Sequence, residues 1–535
     1  MKGVLTMSMG SRIFDSLKLV KMQSYLDSDE QKRVQKVQEQ WNFYEGYHWE
    51  DIPNDGDRPQ VTENYCATYV NKFVSFELGK GFSINTQKDL KETAITDGGL
   101  TIVEYLNRVW QDNRRDQLLY EIGQAKAVNG DMWVQVKFES PDEIDDPFEE
   151  YSRGRVRIIA YHKGLVFPTY DPHDKDKLIE LKLMYEIELK SSGLFGTTST
   201  ETVVYKQIWT KNKIVEYHGN QIISEQENTY GLIPFVQIKN FPLVGRNEGI
   251  SDLENLIPLN VEYNLKKSDI SEIIDYHASP VTVVYGAKIG NLERGANKVW
   301  GGLPKDAKVE NLELSSDLKA SNQYCDNLKK SMNEVGGIPV GALGGEQAIS
   351  NTSGVALQFV NAPIIERTNI KKEATSYGIR QINKLILYLS VLNGIVRIPD
   401  GVTKSDFYNT IVEIPDTTPK DTLVELQQIE IEMRLGLECR KGAMHRLGRE
   451  DIDNTIEEID KDREEHPELY GIQTPEPETD DTDGTDDTSD DSDTKEVGMG
   501  GTKRRPTDDN GMNKEGEPKK INSGMTNQSP PVREK

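Results

Sequence analysis

The period of the apolar positions changes several times along the chain, and each change marks an element. Asp27 to Tyr44 holds the charge-mixed run DEQKRVQKVQEQWNFY and reads as a helix, with Gly46 as its stop. Val61, Tyr65, Tyr69, Val70 and Phe73 recur at helical spacing, after which LGKGFSI turns extended. A further amphipathic helix is predicted over Thr101 to Val128, with Ile102, Tyr105, Leu106, Val109, Leu118, Leu119, Ile122 and Ala125 as its apolar set. Asn129-Gly130-Asp131 ends that helix and starts a strand, MWVQVKF. In the middle third the period becomes two. Leu181, Leu183, Tyr185, Ile187 and Leu189 alternate with Lys182, Met184, Glu186, Glu188 and Lys190. TVVYKQIWT, KIVEYH and QIIS come next, parted by turns at Lys211-Asn212 and Gly219-Asn220, which predicts an antiparallel meander.

Helical spacing then returns. Ser251-Asp252-Leu253-Glu254 has the form of a capping box, and Pro258 precedes a helix from Leu259 to Tyr276. Ser279-Pro280 closes it, extended pieces at PVTVVYG and Lys308 to Leu314 form a small β insertion, and Leu318 to Val335 is a second helix. Next comes GGIPVGALGGEQAISNTSG, a glycine-rich loop that feeds the longest helix of the chain, ending near Asn393 and carrying Pro363. The linker 395–416 reads as partly β. Thr418 as N-cap, Pro419 at the first position and Asp421 start a mostly helical region that ends near Pro467. The pattern is that of an α+β protein, and a chain of 535 residues is long enough for several domains.

Charge narrows the function. The formal net charge is −25; residues 471–535 hold 16 Asp/Glu against 9 Lys/Arg, so the body alone stands at −18. A protein built to grip phosphates tightly carries the opposite sign. TPEPETDDTDGTDDTSDDSD and the mixed polar residues from there to Lys535 read as a disordered, solvating tail. Three distant cysteines, Cys66, Cys325 and Cys439, argue against a disulfide scaffold or a zinc site. No run approaches the roughly 18 apolar residues of a membrane span, and the first residues lack the apolar core of a secretory signal.

The sequence carries no familiar catalytic or nucleotide-binding motif. There is no G-x-x-x-x-G-K-[ST], no H-E-x-x-H and no G-x-S-x-G, and the seven histidines never pair at metal-ligand spacing. No catalytic, cofactor or metal residue is assigned, and no cofactor. The aromatic group Trp41, Phe43, Tyr44, Tyr47 and Trp49 reads as a packing anchor, because its charged neighbours Glu45, Glu50 and Asp51 are acids rather than the bases of a base-stacking platform. His48 and His162 sit beside aromatics, where a ligand histidine could also stand, but read as structural or surface residues.

Several segments, taken in order, resemble the portal proteins of tailed bacteriophages, in the group typified by Bacillus siphophage portals. They are YEGYH (44–48), AVNGDMWVQV (127–136), VFPTYD (166–171), the block GLIPFVQIKNFPLVGRNEGISDLENLIPLNVEYNLKKSDISEIIDYHASPVTVVYG (231–286), and SGVALQF (353–359). The likeness spans about residues 40–465. It implies a lead-in at 1–39, a wing at 40–250, stem helices at 251–278 and 317–336, a clip at 279–316, a tunnel loop at 337–353, a long kinked helix at 354–394 and a helical crown at 395–470, with the tail at 471–535. It also implies a ring of about twelve copies at one capsid vertex of the virion, assembled in the host cytoplasm. Double-stranded DNA would pass through it, and its partners would be the terminase large subunit, a head-completion or adaptor protein, and the major capsid and scaffolding proteins, with no membrane. In that reading Gly341, Gly344, Gly345, Glu346, Gln347 and Asn351 face the DNA from the loop, Pro363 kinks the helix, and Lys266, Lys267, Lys329 and Lys330 offer scattered phosphate contacts from the stem. The alternative is a virion-associated metal-dependent nuclease or ATPase using scattered carboxylates.

Overall fold

The computed structural model describes residues 22–49, 59–87, 90–144, 153–192, 198–278, 282–285, 304–306, 308–311, 318–343, 354–417, 422–449 and 452–466. The first helix, α1 (Ser28–Glu45), starts on a capping box in which Asp27 accepts from the Glu30 amide and Glu30 reaches back, and it stops at left-handed Gly46. α2 (Tyr65–Leu78) begins four residues later than the apolar spacing suggested, because Asn64 caps it and 61–64 is extended. β1 (Ser83–Asn85) follows.

The single helix expected over Thr101 to Val128 is two. α3 (Ile102–Asp112) ends at Asn113, Arg114 turns left-handed with φ 56°, and α4 (Arg115–Asn129) starts after it. Asn113 makes the break tolerable: its side chain donates to the Val109 and Val156 carbonyls and accepts from the Ile158 amide. Gly130 (φ 88°) then turns the chain into β2 (Asp131–Glu139).

β3 (Arg155–His162), β4 (Val166–Tyr170), β5 (Leu178–Ser192), β6 (Thr198–Thr210), β7 (Lys213–His218), β8 (Gln221–Glu227) and β9 (Phe235–Lys239) come next. They form a three-stranded sheet in the order β3-β2-β9 and a five-stranded antiparallel meander, β4-β5-β6-β7-β8. The β6–β7 and β7–β8 turns fall on the residue pairs that the sequence indicated. β2 explains the layering. Met132, Val134 and Val136 join the helical core, while Trp133 joins Tyr161, Leu181, Leu183, Trp209 and Phe235 under the meander. A strand buried on both faces needs apolar residues at nearly every position, which is what MWVQVKF supplies.

α5 (Ile257–Ala278), β10 (Thr282–Tyr285), β11 (Lys308–Asn311) and α6 (Leu318–Gly336) form the predicted helix–insert–helix, with β10 and β11 paired antiparallel. The capping box expected at Ser251 does not form. Ser251 is buried, its hydroxyl contacts the Ala127 and Val128 carbonyls and accepts from the Leu253 amide, and Glu254 reaches out to Lys36. Residues 252–256 are turns, and Pro258 sits at the second helical position, where its missing N–H leaves no gap.

α7 (Gly354–Leu392) runs for 39 residues through Pro363. Beyond it, α8 (Lys404–Tyr408) and β12 (Ile411–Glu413) bring the chain back, so that β12 pairs with β1 through Ile84↔Val412. The partly β reading of 395–416 thus rests on one short strand and a bridge from Val396 to Thr96. α9 (Thr422–Arg434) follows; its expected caps, Thr418, Pro419 and Asp421, lie outside the described residues. Residues 438–466 make a separate unit, in which α10 (Arg440–Arg446) and α11 (Ile452–Glu465) are joined by an Arg440–Asp460 ion pair.

Candidate functional site

The resemblance points to 251–394, and three sets of contacts hold that stretch against the rest. The first lies along α5. Asn260, Asn264 and Ser268 recur every four residues, so they form one stripe, and all are buried. Instead of packing against carbon, they serve residues 61–64 and the first amides of α2. Ser268 Oγ accepts from the Val61 amide at 3.0 Å, Asn264 Oδ1 from Glu63 at 3.0 Å, and Asn260 Oδ1 from Tyr65 and Cys66 at 3.2 and 3.3 Å. Asn260 Nδ2 donates to the Glu63 carbonyl. The stripe satisfies a segment that has no sheet to join.

Asn264 also fixes His48. With Oδ1 committed to Glu63, its Nδ2 must be the group 2.6 Å from His48 Nδ1, so Nδ1 accepts and Nε2–H donates to the Phe43 carbonyl at 2.9 Å. Burial lowers the His48 pKa below its ordinary value. His48 is therefore structural, as the sequence suggested, and so is the aromatic anchor around it. Trp41 is buried and donates to Asn129 Oδ1 at 2.7 Å, and Phe43 stacks on His48. Tyr47, by contrast, is exposed.

The second set is a cluster of buried charges that no sequence motif announced. Glu77, Lys126, Asp252 and Lys371 are all at most 2% exposed. Lys126 and Thr375 donate to Glu77 Oε1, while Lys371 Nζ lies 2.7 Å from Asp252 Oδ2 and 3.7 Å from Glu77 Oε2. Arg367 Nη2 reaches Asp252 Oδ1 at 2.9 Å, and Asn240 donates to Oδ2 at 3.0 Å. Burial pulls Lys126 down to about 8 against the attraction of Glu77. Burial would raise Asp252, but Lys371 and Arg367 outweigh it and hold its carboxyl below the ordinary carboxylate range. These charges join α2, α4, the turn before α5, and α7 at one point.

The third set anchors the start of the loop. Gly337 (φ 66°) ends α6 and its amide donates to the Glu334 carbonyl. Asn333 accepts from the Tyr69 hydroxyl at 2.5 Å, and its carbonyl accepts from the Ile338 amide. Ile338 and Ala342 are buried, so 337–343, with its 3₁₀ turn Val340–Leu343, is held in the core. Gly341 lies in that turn, and a Cβ there would be 3.8 Å from Val360. Gly344, Gly345, Glu346, Gln347 and Asn351 lie outside the described residues. Pro363 is exposed on α7, and having no N–H it cannot donate to the Phe359 carbonyl one turn earlier.

The four lysines that the resemblance assigns to the stem are occupied by their own chain. Lys266 pairs with Asp269 at 3.2 Å and Glu262 at 3.8 Å, and Lys330 with Glu334 at 3.9 Å. Lys267 lies 3.9 Å from Glu63 and over the Tyr263 ring, and Lys329 sits over Tyr65. Together α5 and α6 hold six carboxylates and five lysines. The structure brings the four lysines to one helix pair but gives each a neighbour that offsets or stacks on its charge. Among the described residues no group of three or more His, Cys, Asp or Glu gathers as a metal site, and no helix is long and apolar enough to cross a membrane.

The profile of the family described as phage portal protein, SPP1 Gp6-like, matches residues 23–468. The chain is also similar to a chain in a structure titled "Virion of native gene transfer agent (GTA) particle", at 10% identity and a TM-score of 0.39, covering 81% of this chain and 98% of that one. A chain of the "Neck of empty GTA particle computed with C6 symmetry" gives 11%, 0.41, 81% and 98%. No curated protein matches the sequence. With more than half of its length matched, the chain belongs to the SPP1 Gp6-like family of phage portal proteins.

Proposed function

We propose that this portal-family chain assembles into a ring of about twelve copies at one capsid vertex, where it serves as the conduit for DNA entering and leaving the particle. The observation that carries the reading is the family match over residues 23–468, which takes in the whole helix–insert–helix–loop–helix run. In this reading α5 and α6 are the stem, β10 and β11 belong to the clip, and α7 links the wing to the crown. The terminase large subunit and an adaptor protein dock on the ring, and capsid and scaffolding proteins surround it.

The electrostatics support a conduit that does not grip. Each tight phosphate contact would have to break for DNA to advance, so a channel wall works best with weak, balanced charge. The stem helices come near neutrality, and their lysines are already engaged. The loop sequence from 337 to 353 carries Glu346 and no base. Twelve copies at −25 give on the order of −300 charges, a field that repels the polyanion and keeps it near the axis.

Electron microscopy of the purified protein tests the assembly directly. Rings with a central hole and about twelve-fold symmetry are expected; a well-behaved monomer at micromolar concentration would sink the proposal.

A further inference from the structure

A pocket of about 440 Å³ opens where the C-terminal half of α7 meets α8. Tyr377, Arg380 and Lys384 line it from the long helix, Lys404, Ser405 and Tyr408 from the short one, and no carboxylate is among its walls. In a chain with 89 Asp/Glu against 64 Lys/Arg, three cations around an acid-free cavity run against composition. The Arg380 guanidinium lies 5.7 Å from the centre of the Tyr377 ring, and its Nε is buried with no hydrogen-bond partner. By contrast Lys126, Lys163, Lys182, Lys266 and Lys372 each sit within 4.0 Å of a carboxylate of their own protomer. Among the described residues no such partner faces Arg380, Lys384 or Lys404.

Guanidinium and ammonium groups only donate, and the hydroxyl and amide groups beside them can donate too, so the lining suits an oxyanion. We propose that it receives a carboxylate side chain from a second copy of this chain, at the seam between neighbouring protomers. The inference rests on the ring reading above and deepens it by naming a seam contact. A duplex presents a long row of phosphates and calls for a run of cations along an open surface. A concave site of about 440 Å³ on a body of charge −18 suits one or two carboxylates better. Like-charged protomers repel across each seam, and cations without a partner in their own chain can offset that repulsion. A head-to-tail ring also brings two different surfaces together, so socket and acid can be different parts of the same chain.

Rings assembled from mixed ¹⁴N- and ¹⁵N-labelled chains are treated with a zero-length carbodiimide and analysed by mass spectrometry. The expected product joins Lys384 or Lys404 to an Asp- or Glu-containing peptide of the opposite label. Links confined to one label would overturn the proposal. Both lysines are exposed, so K384Q/K404Q should melt like the parent while raising the concentration needed for assembly by about three- to tenfold. If that variant instead assembles with the parent's concentration and salt dependence, the seam contact is refuted and the ring reading stands. Weaker binding of a duplex oligonucleotide with unchanged assembly would reassign the pocket to phosphate and refute the contact too. A parent chain that forms no rings would fail the ring reading itself, and this inference with it.

Discussion

At the scale of single residues, the contact between His48 and Asn264 shows how one side chain determines the state of another. Asn264 gives its oxygen to the Glu63 amide and its NH₂ to His48 Nδ1, so the imidazole is held neutral. Protonating His48 in the folded state would set N–H against N–H, and burial already lowers its pKa. The unfolded chain takes up that proton near pH 6.5 while the folded chain resists it. Stability from this site is thus fully present above about pH 6.5 and declines as the pH falls below it. Urea midpoints at pH 7 and pH 5 should drop further for the parent than for His48→Gln. Asn264→Ala strands a buried amide and the imidazole nitrogen together, and should cost about 1–3 kcal/mol in the same assay at pH 7.

At the scale of elements, two short motifs 119 residues apart in sequence turn out to be one joint. Gly130 starts β2 and Gly249 precedes the turn into α5; a Cβ on Gly249 would lie 2.1 Å from the Gly130 carbonyl oxygen. The Gly249 amide donates to Asp131 Oδ2, and the Gly130 carbonyl accepts from Asn240. Backbone cannot yield as a side chain can, so Gly249→Ala should destabilise by at least about 2–3 kcal/mol in chemical denaturation. Pro363 makes a different prediction. It lies on the exposed side of α7, where a lost amide bond weakens one turn without disturbing the core. If that turn bends during DNA passage, Pro363→Ala should lower packaging yield while leaving ring assembly intact, as counted by electron microscopy and by DNA-filled particles. Equal packaging would exclude the bend.

At the scale of the whole molecule, the buried charges join elements that are far apart in sequence. Asp252 stands before α5, Glu77 and Lys126 on α2 and α4, and Lys371 and Arg367 on α7. Replacing such a cluster with carbon could be neutral, whereas removing one partner leaves a charge with nowhere to go. Asp252→Asn, which keeps the shape and removes one negative charge, should therefore cost about 3–5 kcal/mol. Denaturant midpoints check it; a loss under about 1 kcal/mol would mean that water reaches the site. The cluster ties the turn before α5 to α7, so if the chain is the conduit proposed above, the variant should also lower the yield of DNA-filled particles at temperatures where it remains folded.

What the sequence determined alone was local. Helix and strand periods, the two-residue meander turns, the glycine and proline punctuation and the order of segments come from chain geometry and near-neighbour hydrogen bonds. They delivered the α+β class, the helix–insert–helix run and the family resemblance. Even local signals failed where a distant group competed: Ser251 gave up its capping box for the carbonyls of Ala127 and Val128, and Asn113 supported a break at Arg114 that the apolar spacing hid. The tertiary structure alone decided the pairing of charges. Nothing distinguished Glu77 or Asp252 among 89 carboxylates until folding excluded water around them. Asn260, Asn264 and Ser268 stand four residues apart, but only the folded chain shows the segment that this spacing serves. Charges interact through space and in proportion to their desolvation, and a one-dimensional pattern records neither.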